Sequence, residues 1–336
     1  MKLLVTGGTG YIGSHTVVEL LQAQHQVTII DNLCNSKESV VDAIASLCDI
    51  RPEFIKLDLR DETGLEALFA SHAFDAVIHF AGLKAVGESV AEPLKYYDNN
   101  VGGTLSLLAA MQRHGVHSLV FSSSATVYGD PHTVPITEEF PLHTTNPYGT
   151  TKWMIEQILQ DLVHAHPEWS VALLRYFNPI GAHPSGQLGE NPNGIPNNLM
   201  PYIVKVAHRD LPELQVYGND YPTPDGTGVR DYLHVVDLSM GHLKALDYLA
   251  SHTGVHVFNL GTGQGYSVLQ MIEAFQRVNR VHVPYRIVGR RPGDIAACYA
   301  DPSKAARELG WKTHFTLDDM CQDSWNYIQS KKEKHL

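Results

Sequence analysis

Met1-Lys-Leu-Leu-Val-Thr-Gly-Gly-Thr-Gly-Tyr-Ile-Gly-Ser-His-Thr16 is the stretch whose reading decides the fold. Leu3, Leu4 and Val5 spell a short buried strand, Gly7, Gly8, Gly10 and Gly13 a tight turn, and residues 14–23 a helix whose apolar positions recur at helical spacing. The glycines let the backbone approach a pyrophosphate, whose charge rests on the free N–H groups and dipole of the following helix. A second apolar run, Val27-Thr-Ile-Ile30, ends at Asp31. An acid there accepts hydrogen bonds from both ribose hydroxyls, which favours NAD over a 2′-phosphorylated cofactor. Glycine clusters are common turns, so the string gains its meaning from the strand before it, the helix after it and the acid beyond.

The chain has 336 residues, enough for a large core and two domains, and its 43% apolar and 18% charged residues describe an ordinary globular protein. A formal charge of -11 argues against nucleic-acid binding, which needs clustered cations, but not against an anionic substrate held by a few local arginines. Cys34, Cys48, Cys298 and Cys321 lack metal-ligand spacing and are too sparse for a disulfide scaffold, so no metal and a reducing, cytoplasmic setting are expected. The strand beginning at Lys2 leaves no room for a signal peptide, and no apolar run has membrane-spanning length.

Outward from the glycine loop, the expected architecture is α/β, a Rossmann-type, doubly wound, mostly parallel sheet with a second, smaller mixed α/β domain. Residues 33–47 hold a short helix on an inserted connection, and Phe54-Ile-Lys-Leu57 is a third strand. Asp58 at its end falls where the adenine edge of a dinucleotide should lie, or caps a helix. Asp75-Ala-Val-Ile-His-Phe80 is the fourth strand, and the loop Ala81-Gly-Leu-Lys-Ala-Val-Gly87 leaves its carboxyl end toward the cofactor. Lys84 there suits a phosphate or ribose contact and equally suits an exposed loop; Asn99 suits the nucleotide or a cap. Ser118-Leu-Val-Phe121 is a fifth strand and Val171-Ala-Leu-Leu-Arg-Tyr-Phe177 a sixth. The composition turns to Gly, Pro and Asn after Asn178. The NAD-binding domain is therefore expected over 1–178 with 231–260 returning to it, and the smaller domain over 179–230 and 261–336. Gly263 to Gly265 reads as a turn before a helix, and residues 331–336 as frayed.

Chemistry concentrates at two places. Ser122-Ser-Ser-Ala-Thr-Val-Tyr-Gly129 leaves a parallel strand where open α/β folds collect ligands. Tyr148 and Lys152 are spaced to share a helix face. A free tyrosine, with a pKa of about 10, is a poor base at neutral pH, but a nearby ammonium and a positive nicotinamide favour the phenolate. Ser124 then orients a hydroxyl, Tyr148 takes its proton and Lys152 tunes Tyr148 and donates to a ribose hydroxyl. These roles require an alcohol whose C–H gives hydride to NAD. Arg230 and Arg291 can each grip phosphate with two parallel hydrogen bonds, or form structural ion pairs; Asn178 and Asn198 can hold sugar or phosphate oxygens.

With these strings in place, the chain resembles the UDP-glucose 4-epimerase family of the extended short-chain dehydrogenase/reductases. The likeness rests on the glycine loop, Asp31-Asn-Leu33, His79-Phe-Ala-Gly-Leu-Lys-Ala-Val-Gly-Glu-Ser89, the serine run, Asn146-Pro-Tyr148 with Lys152, Leu174-Arg-Tyr-Phe-Asn178, Gly194-Ile-Pro-Asn-Asn-Leu199 and Asp225-Gly-Thr-Gly-Val-Arg-Asp-Tyr232. It covers essentially the whole chain. The resemblance implies Ser124, Tyr148 and Lys152 as the catalytic set. The NAD site it implies comprises Gly7, Gly10, Tyr11, Ile12, Gly13, Asp31, Asn32, Asp58, Leu59, Phe80, Ala81, Lys84, Asn99 and Phe177, with Tyr148 and Lys152. The implied substrate side, for UDP-hexoses, comprises Ser124, Asn178, Asn198, Leu199, Val216, Tyr217, Arg230, Tyr232, Val268, Arg291, Asp294 and Cys298. It further implies hydride transfer from C4 to tightly bound NAD, a 4-keto sugar that turns about its diphosphate linkage, and return of hydride to the opposite face. A homodimer through helices following Asn100 and Pro147, and a place in galactose metabolism, are implied as well.

Three positions depart from or vary within that pattern. Thr150-Thr151 stands where Lys-Ser is frequent, which leaves the chemistry intact. Ala125-Thr126 stands where related 4,6-dehydratases carry Asp-Glu, which argues against elimination. Cys298 takes the place of a gate that is tyrosine in some members, leaving room for an acetamido group unless Ser123 or Tyr299 refills the space. Interconversion of UDP-GlcNAc and UDP-GalNAc is therefore a second expected activity. A nucleotide-sugar dehydratase or decarboxylase, or a nucleotide-binding protein without turnover, are the competing readings; a mere binder has no need of Ser124, Tyr148 and Lys152 together.

Overall fold

The computed structural model describes residues 1–192, 196, 198–291 and 293–333. Its largest sheet has seven parallel strands: β1 (Lys2–Thr6), β2 (Gln26–Asp31), β3 (Glu53–Lys56), β4 (Ala76–His79), β5 (Ser118–Ser124), β6 (Ser170–Tyr176) and a later strand, Gly254–Leu260. The strands lie in the order Gly254–Leu260, β6, β5, β4, β1, β2, β3. The order reverses between β1 and β4, and the crevice above that switch point is where such sheets bind ligands.

Continuous apolar runs form these strands because helices cover both faces, so consecutive residues are buried on opposite sides. Leu3 and Val5 pack in one layer with Val17, Val18 and Leu246. Leu4 packs in the other with Leu65, Leu107, Ile155 and Leu159. The first layer joins the helices Tyr11–Gln22 and Val235–Leu249, and the second joins Glu62–Ser71, Gly103–Arg113 and Pro147–Ala165.

The remaining strands are β7 (Asn178–Ile180), β8 (Leu214–Tyr217), β9 (Val229–His234), β10 for the Gly254–Leu260 strand already placed, β11 (Gly265–Ser267), β12 (Tyr285–Val288) and β13 (Ala297–Cys298). In the mixed smaller sheet, β9 pairs with β7 and β13 in parallel and with β11 antiparallel, while β8 and β12 form a separate parallel pair. The helices Leu199–Ala207, Val268–Asn279 and Leu317–Glu333 close a third core around Ile203, Val216, Met271 and Phe275.

Several expectations shift. The first helix begins at Tyr11 rather than 14, because the glycine turn itself leads into it. Residues 231–234 belong to β9 in the smaller sheet, so the return to the large sheet starts with the helix at Val235. The turn at Gly263 ends in β11, and Ser267 and Gln270 form a reciprocal cap on the next helix. Of the end expected to fray, residues 331–333 continue the last helix, with the Lys331 ammonium 4.5 Å from the centre of the Tyr327 ring, and residues 334–336 lie outside the described residues.

Candidate active site

The ends of β1, β4, β5 and β6 converge at the switch point. Gly7 turns the chain at φ +67°, and a Cβ there would lie 2.7 Å from the Ala81 backbone nitrogen. A Cβ on Gly13 would lie 2.3 Å from the Gly7 carbonyl oxygen. The helix after this turn has no side-chain cap at Gly10, leaving its N-terminal amide field to a ligand. Asp31 accepts from the amides of Thr9 at 3.3 Å and Leu33 at 2.9 Å, which orient its carboxylate at the end of β2. Asn32 donates to Asp58 at 2.9 Å, and Arg60 beside Asp58 holds that carboxyl well below its usual range. Asp58 is thus an oriented carboxylate; the helix cap nearby is Asp61, which accepts from the Gly64 amide at 2.9 Å. Leu59 is buried. This uncapped helix, tight glycine cradle and oriented acid pair fit a dinucleotide.

Beyond β4, the Ala81 amide donates to Thr6 Oγ1 at 3.2 Å, tying the two strand ends together. Phe80 packs against His242 at 4.7 Å between ring centres. Tyr11 donates its hydroxyl to the Gly181 carbonyl at 2.8 Å, and Ile12 packs on the core. Asn99 turns its amide to Asn100 at 3.0 Å. Lys84 pairs with Glu190 at 3.2 Å, and the same carboxylate accepts from Asn198 at 3.4 Å.

Ser124 closes β5 and starts a short turn of helix; its hydroxyl oxygen accepts from the Thr126 amide at 3.2 Å. Asn146 caps the helix Pro147–Ala165 by accepting from Gly149 at 2.9 Å, with Pro147 in the first turn. Tyr148 and Lys152 then project from one face of it. The Lys152 ammonium donates to the Ser122 carbonyl at 2.6 Å and lies 4.8 Å from the centre of the Phe121 ring. Burial lowers its pKa to about 8, opposed by Glu156. Burial likewise pushes the Tyr148 phenol upward, while a hydrogen bond with Ser124 pulls it down. The downward influence within the chain is therefore the Ser124 hydroxyl; the expected depression awaits the charge of a nicotinamide.

Across the crevice, Arg230 is the second residue of β9 and donates from Nη1 to the carbonyls of Val229 and Ile295, both at 2.9 Å, so no carboxylate neutralises it in these bonds. Arg291 instead pairs with Asp294 at 2.9 Å and lies 5.4 Å from the centre of the Tyr217 ring. Tyr232 is buried near the charges of Arg230 and Asp294. Val216 faces the third core, and Leu199 and Val268 pack at its margin where two helices begin. Asn178 is exposed at the start of β7. Cys298 pairs in register with Arg230 and joins Ala125, Tyr128 and Phe177 in one apolar cluster, which raises its thiol pKa to about 11. Residues 193–195 and 197 of the asparagine-rich stretch lie outside the described residues.

Reading the sequence by motif missed a buried group next to the candidate catalytic residues. Glu156, one turn beyond Lys152, receives Nε of Arg175 at 2.9 Å, Nη2 at 2.6 Å and Ser123 Oγ at 2.5 Å. An acid on the same helix face as Ile155 and Leu159 was its signal.

Comparison with known proteins meets the same geometry. The family described as GDP-mannose 4,6 dehydratase matches residues 4–324. The chain is 60% identical to a UDP-glucose 4-epimerase of Bacillus subtilis (strain 168), covering 98% of this chain and 97% of that one. A Stenotrophomonas maltophila UDP-glucose-4-epimerase, solved with NAD and formylated UDP-arabinopyranose, superposes with a TM-score of 0.97 at 52% identity, covering 99% of each chain. The Bifidobacterium longum enzyme, solved with NAD+ and UDP, gives 0.96 at 54% identity over 100% of both chains. Similarity of this extent, continuous through both sheets and the crevice between them, means that the chain belongs to the UDP-glucose 4-epimerase family of the extended short-chain dehydrogenase/reductases.

Proposed function

We propose that Ser124, Tyr148 and Lys152 carry out the reversible C4 epimerisation of UDP-galactose and UDP-glucose, the NAD-dependent reaction of this family. The observation that supports the assignment is that the Tyr148 phenol meets Ser124 at the carboxyl end of β5 while Lys152, one turn along the same helix, is held on the Ser122 carbonyl. NAD, when bound, supplies reversible acceptance of the C4 hydride. Tyr148 removes the C4 hydroxyl proton and returns it to the 4-keto sugar after the sugar presents its other face. Ser124 orients that oxygen through its hydrogen bond with Tyr148. The Lys152 ammonium, fixed on the Ser122 carbonyl, donates to a ribose hydroxyl and stabilises phenolate charge. Gly7, Gly10, Gly13, Asp31, Asp58, Lys84 and Asn99 hold the cofactor. Arg230, with Arg291, Asn178, Asn198 and Tyr217, holds the uridine diphosphate.

The proposed division follows the two sheets. Residues 1–177 and the returning 235–260 bind NAD, and the remainder, beginning with Asn178 on β7, binds the UDP-sugar. Two chains pair through the helices Val86–Ala91, Pro93–Tyr96, Gly103–Arg113 and Pro147–Ala165. Support comes from the exposed apolar residues on them, Val90, Leu94, Leu105, Trp153 and Met154, with Leu94 80% exposed. The four free cysteines and the acidic charge suit a cytoplasmic protein without nucleic-acid partners; no described helix is long and apolar enough to cross a membrane.

A second substrate pair, UDP-GalNAc and UDP-GlcNAc, is favoured by the small Cys298 in the cluster that continues from Ser124 through Ala125. Proton NMR of purified protein with UDP-galactose and separately with UDP-GalNAc, with and without added NAD, tests both. Formation of UDP-glucose is expected in the first tube and UDP-GlcNAc in the second. No conversion of UDP-galactose after NAD is supplied would overturn the epimerase assignment, and a silent second tube alone would remove the wider specificity.

A further inference from the structure

Ser123, Glu156 and Arg175 form a polar knot in the layer directly behind the catalytic side chains, where apolar packing is otherwise the rule. The side chains of Glu156 and Arg175 are 0% and 4% exposed. Arg175 on β6 grips the carboxylate at two points, and its Nη1 donates to the Tyr128 hydroxyl at 3.0 Å and the Glu138 carbonyl at 3.2 Å. Tyr128 in turn donates to Asn259 Oδ1 on β10 at 2.7 Å. One carboxylate therefore connects the helix of Tyr148 and Lys152 to the residue preceding Ser124 and, through Arg175, to two strands and the segment after β5. A buried ion pair is a costly way to gain stability, since desolvation offsets much of its attraction. Its geometry fits a different purpose, because a two-point fork fixes the axial position of a helix that apolar contacts alone leave free to slide.

We propose that Glu156 and Arg175 are positioning residues for epimerisation: together they clasp the helix of Tyr148 and Lys152 against the end of β5 that carries Ser124, and balance the charge felt by the reacting pair. This rests on the catalytic roles given above. His79 on β4 faces Lys152, Tyr96 from a neighbouring helix and Tyr176 on β6 face Tyr148, and Tyr128 after β5 faces Glu156, Arg175 and Glu138. Burial lowers His79 to about 3 and pushes Tyr96, Tyr128 and Tyr176 upward, so these four stay neutral across the working range. Glu156, which acts on Lys152, and Arg175, its partner, are opposed charges against these neutral groups, with the Glu138 carboxylate acting on Tyr128 beyond them.

The test is the pH dependence of kcat for UDP-galactose in the NAD-loaded protein. Glu156→Gln leaves Arg175 uncompensated, which favours the Tyr148 phenolate and disfavours the Lys152 ammonium. Both limbs of the profile should then move to lower pH, by roughly half to one unit. Arg175→Met leaves Glu156 uncompensated, and both limbs should move to higher pH. Shifts of the same sign, or unmoved limbs with only a lower melting temperature, would assign the pair to folding and overturn the proposal. Ser123→Ala releases the β5 end without changing charge, and serves if either single variant does not fold. Its kcat should fall about tenfold with KM and both limbs unchanged; an unaltered kcat overturns the clasp. Tyr148→Phe is measured alongside: retained turnover there would remove the catalytic assignment itself, whereas its loss together with a failed clasp test removes the clasp alone.

Discussion

At the scale of single residues, the phenol of Tyr148 and the thiol of Cys298 carry separable predictions. Tyr148→Phe removes one oxygen and keeps the ring, so NAD should stay bound while kcat falls about 10²- to 10⁴-fold, the usual worth of a general acid–base group. Steady-state kinetics and the absorbance of retained cofactor check this; wild-type turnover would exclude Tyr148 as the base. Cys298→Tyr fills space beside Ala125 and Phe177. It should lower kcat/KM for UDP-GalNAc at least about tenfold more than for UDP-galactose, since overpacking typically costs about 1–3 kcal/mol. Equal losses for both sugars would exclude a size gate. Ser124, Tyr148 and Lys152 stand out in the sequence as candidates because hydroxyl, phenol and amine in that pattern have few uses behind a dinucleotide motif. Glu156 and Arg175 were not. Each lies in a strongly structured apolar segment, and their partnership spans a helix and a strand that no local pattern connects. Lys84 remained open to two readings, and its ion pair with Glu190 supplies an ordinary structural partner without deciding between them.

Elements succeed or fail by how their ends are made. The loop after β1 tolerates almost no added atoms. Gly13→Ala places a methyl group 2.3 Å from the Gly7 carbonyl oxygen, a contact that backbone must move to relieve. We expect a loss of about 1–3 kcal/mol in stability and at least tenfold weaker NAD retention, seen by thermal melting and cofactor titration. Gly87→Ala, with nothing within 4 Å of the new Cβ, is the matched control. Unchanged NAD retention in Gly13→Ala would show that close approach at this turn is not what holds the cofactor. Helix and strand types were readable from period and apolar run, including β1 through β6. Boundaries were less so. Residues 231–234 share an apolar run with the following helix, and their membership of the smaller sheet depends on pairing with Asn178–Ile180, a partner distant along the chain. The cap at Ser267 likewise depends on which of several polar residues reaches a backbone amide.

For the whole molecule, six of the large exposed apolar side chains, Val86, Val90, Leu94, Leu105, Trp153 and Met154, lie on the four helices proposed to pair. Leu94→Glu should convert a species of twice the 37.2 kDa chain mass into a single chain, measured by sedimentation at micromolar concentration. A wild-type protein that sediments as one chain would remove the pairing proposal. The order of the large sheet has a consequence for how the protein is made. Its edge strand, β10, pairs with β6 but is synthesised only after β7, β8 and β9 of the smaller sheet. On the ribosome, β6 therefore waits with an open edge for roughly eighty further residues, several seconds at about 5–20 residues per second. The nascent chain spends that interval with the glycine loop after β1 already synthesised and its largest sheet unfinished.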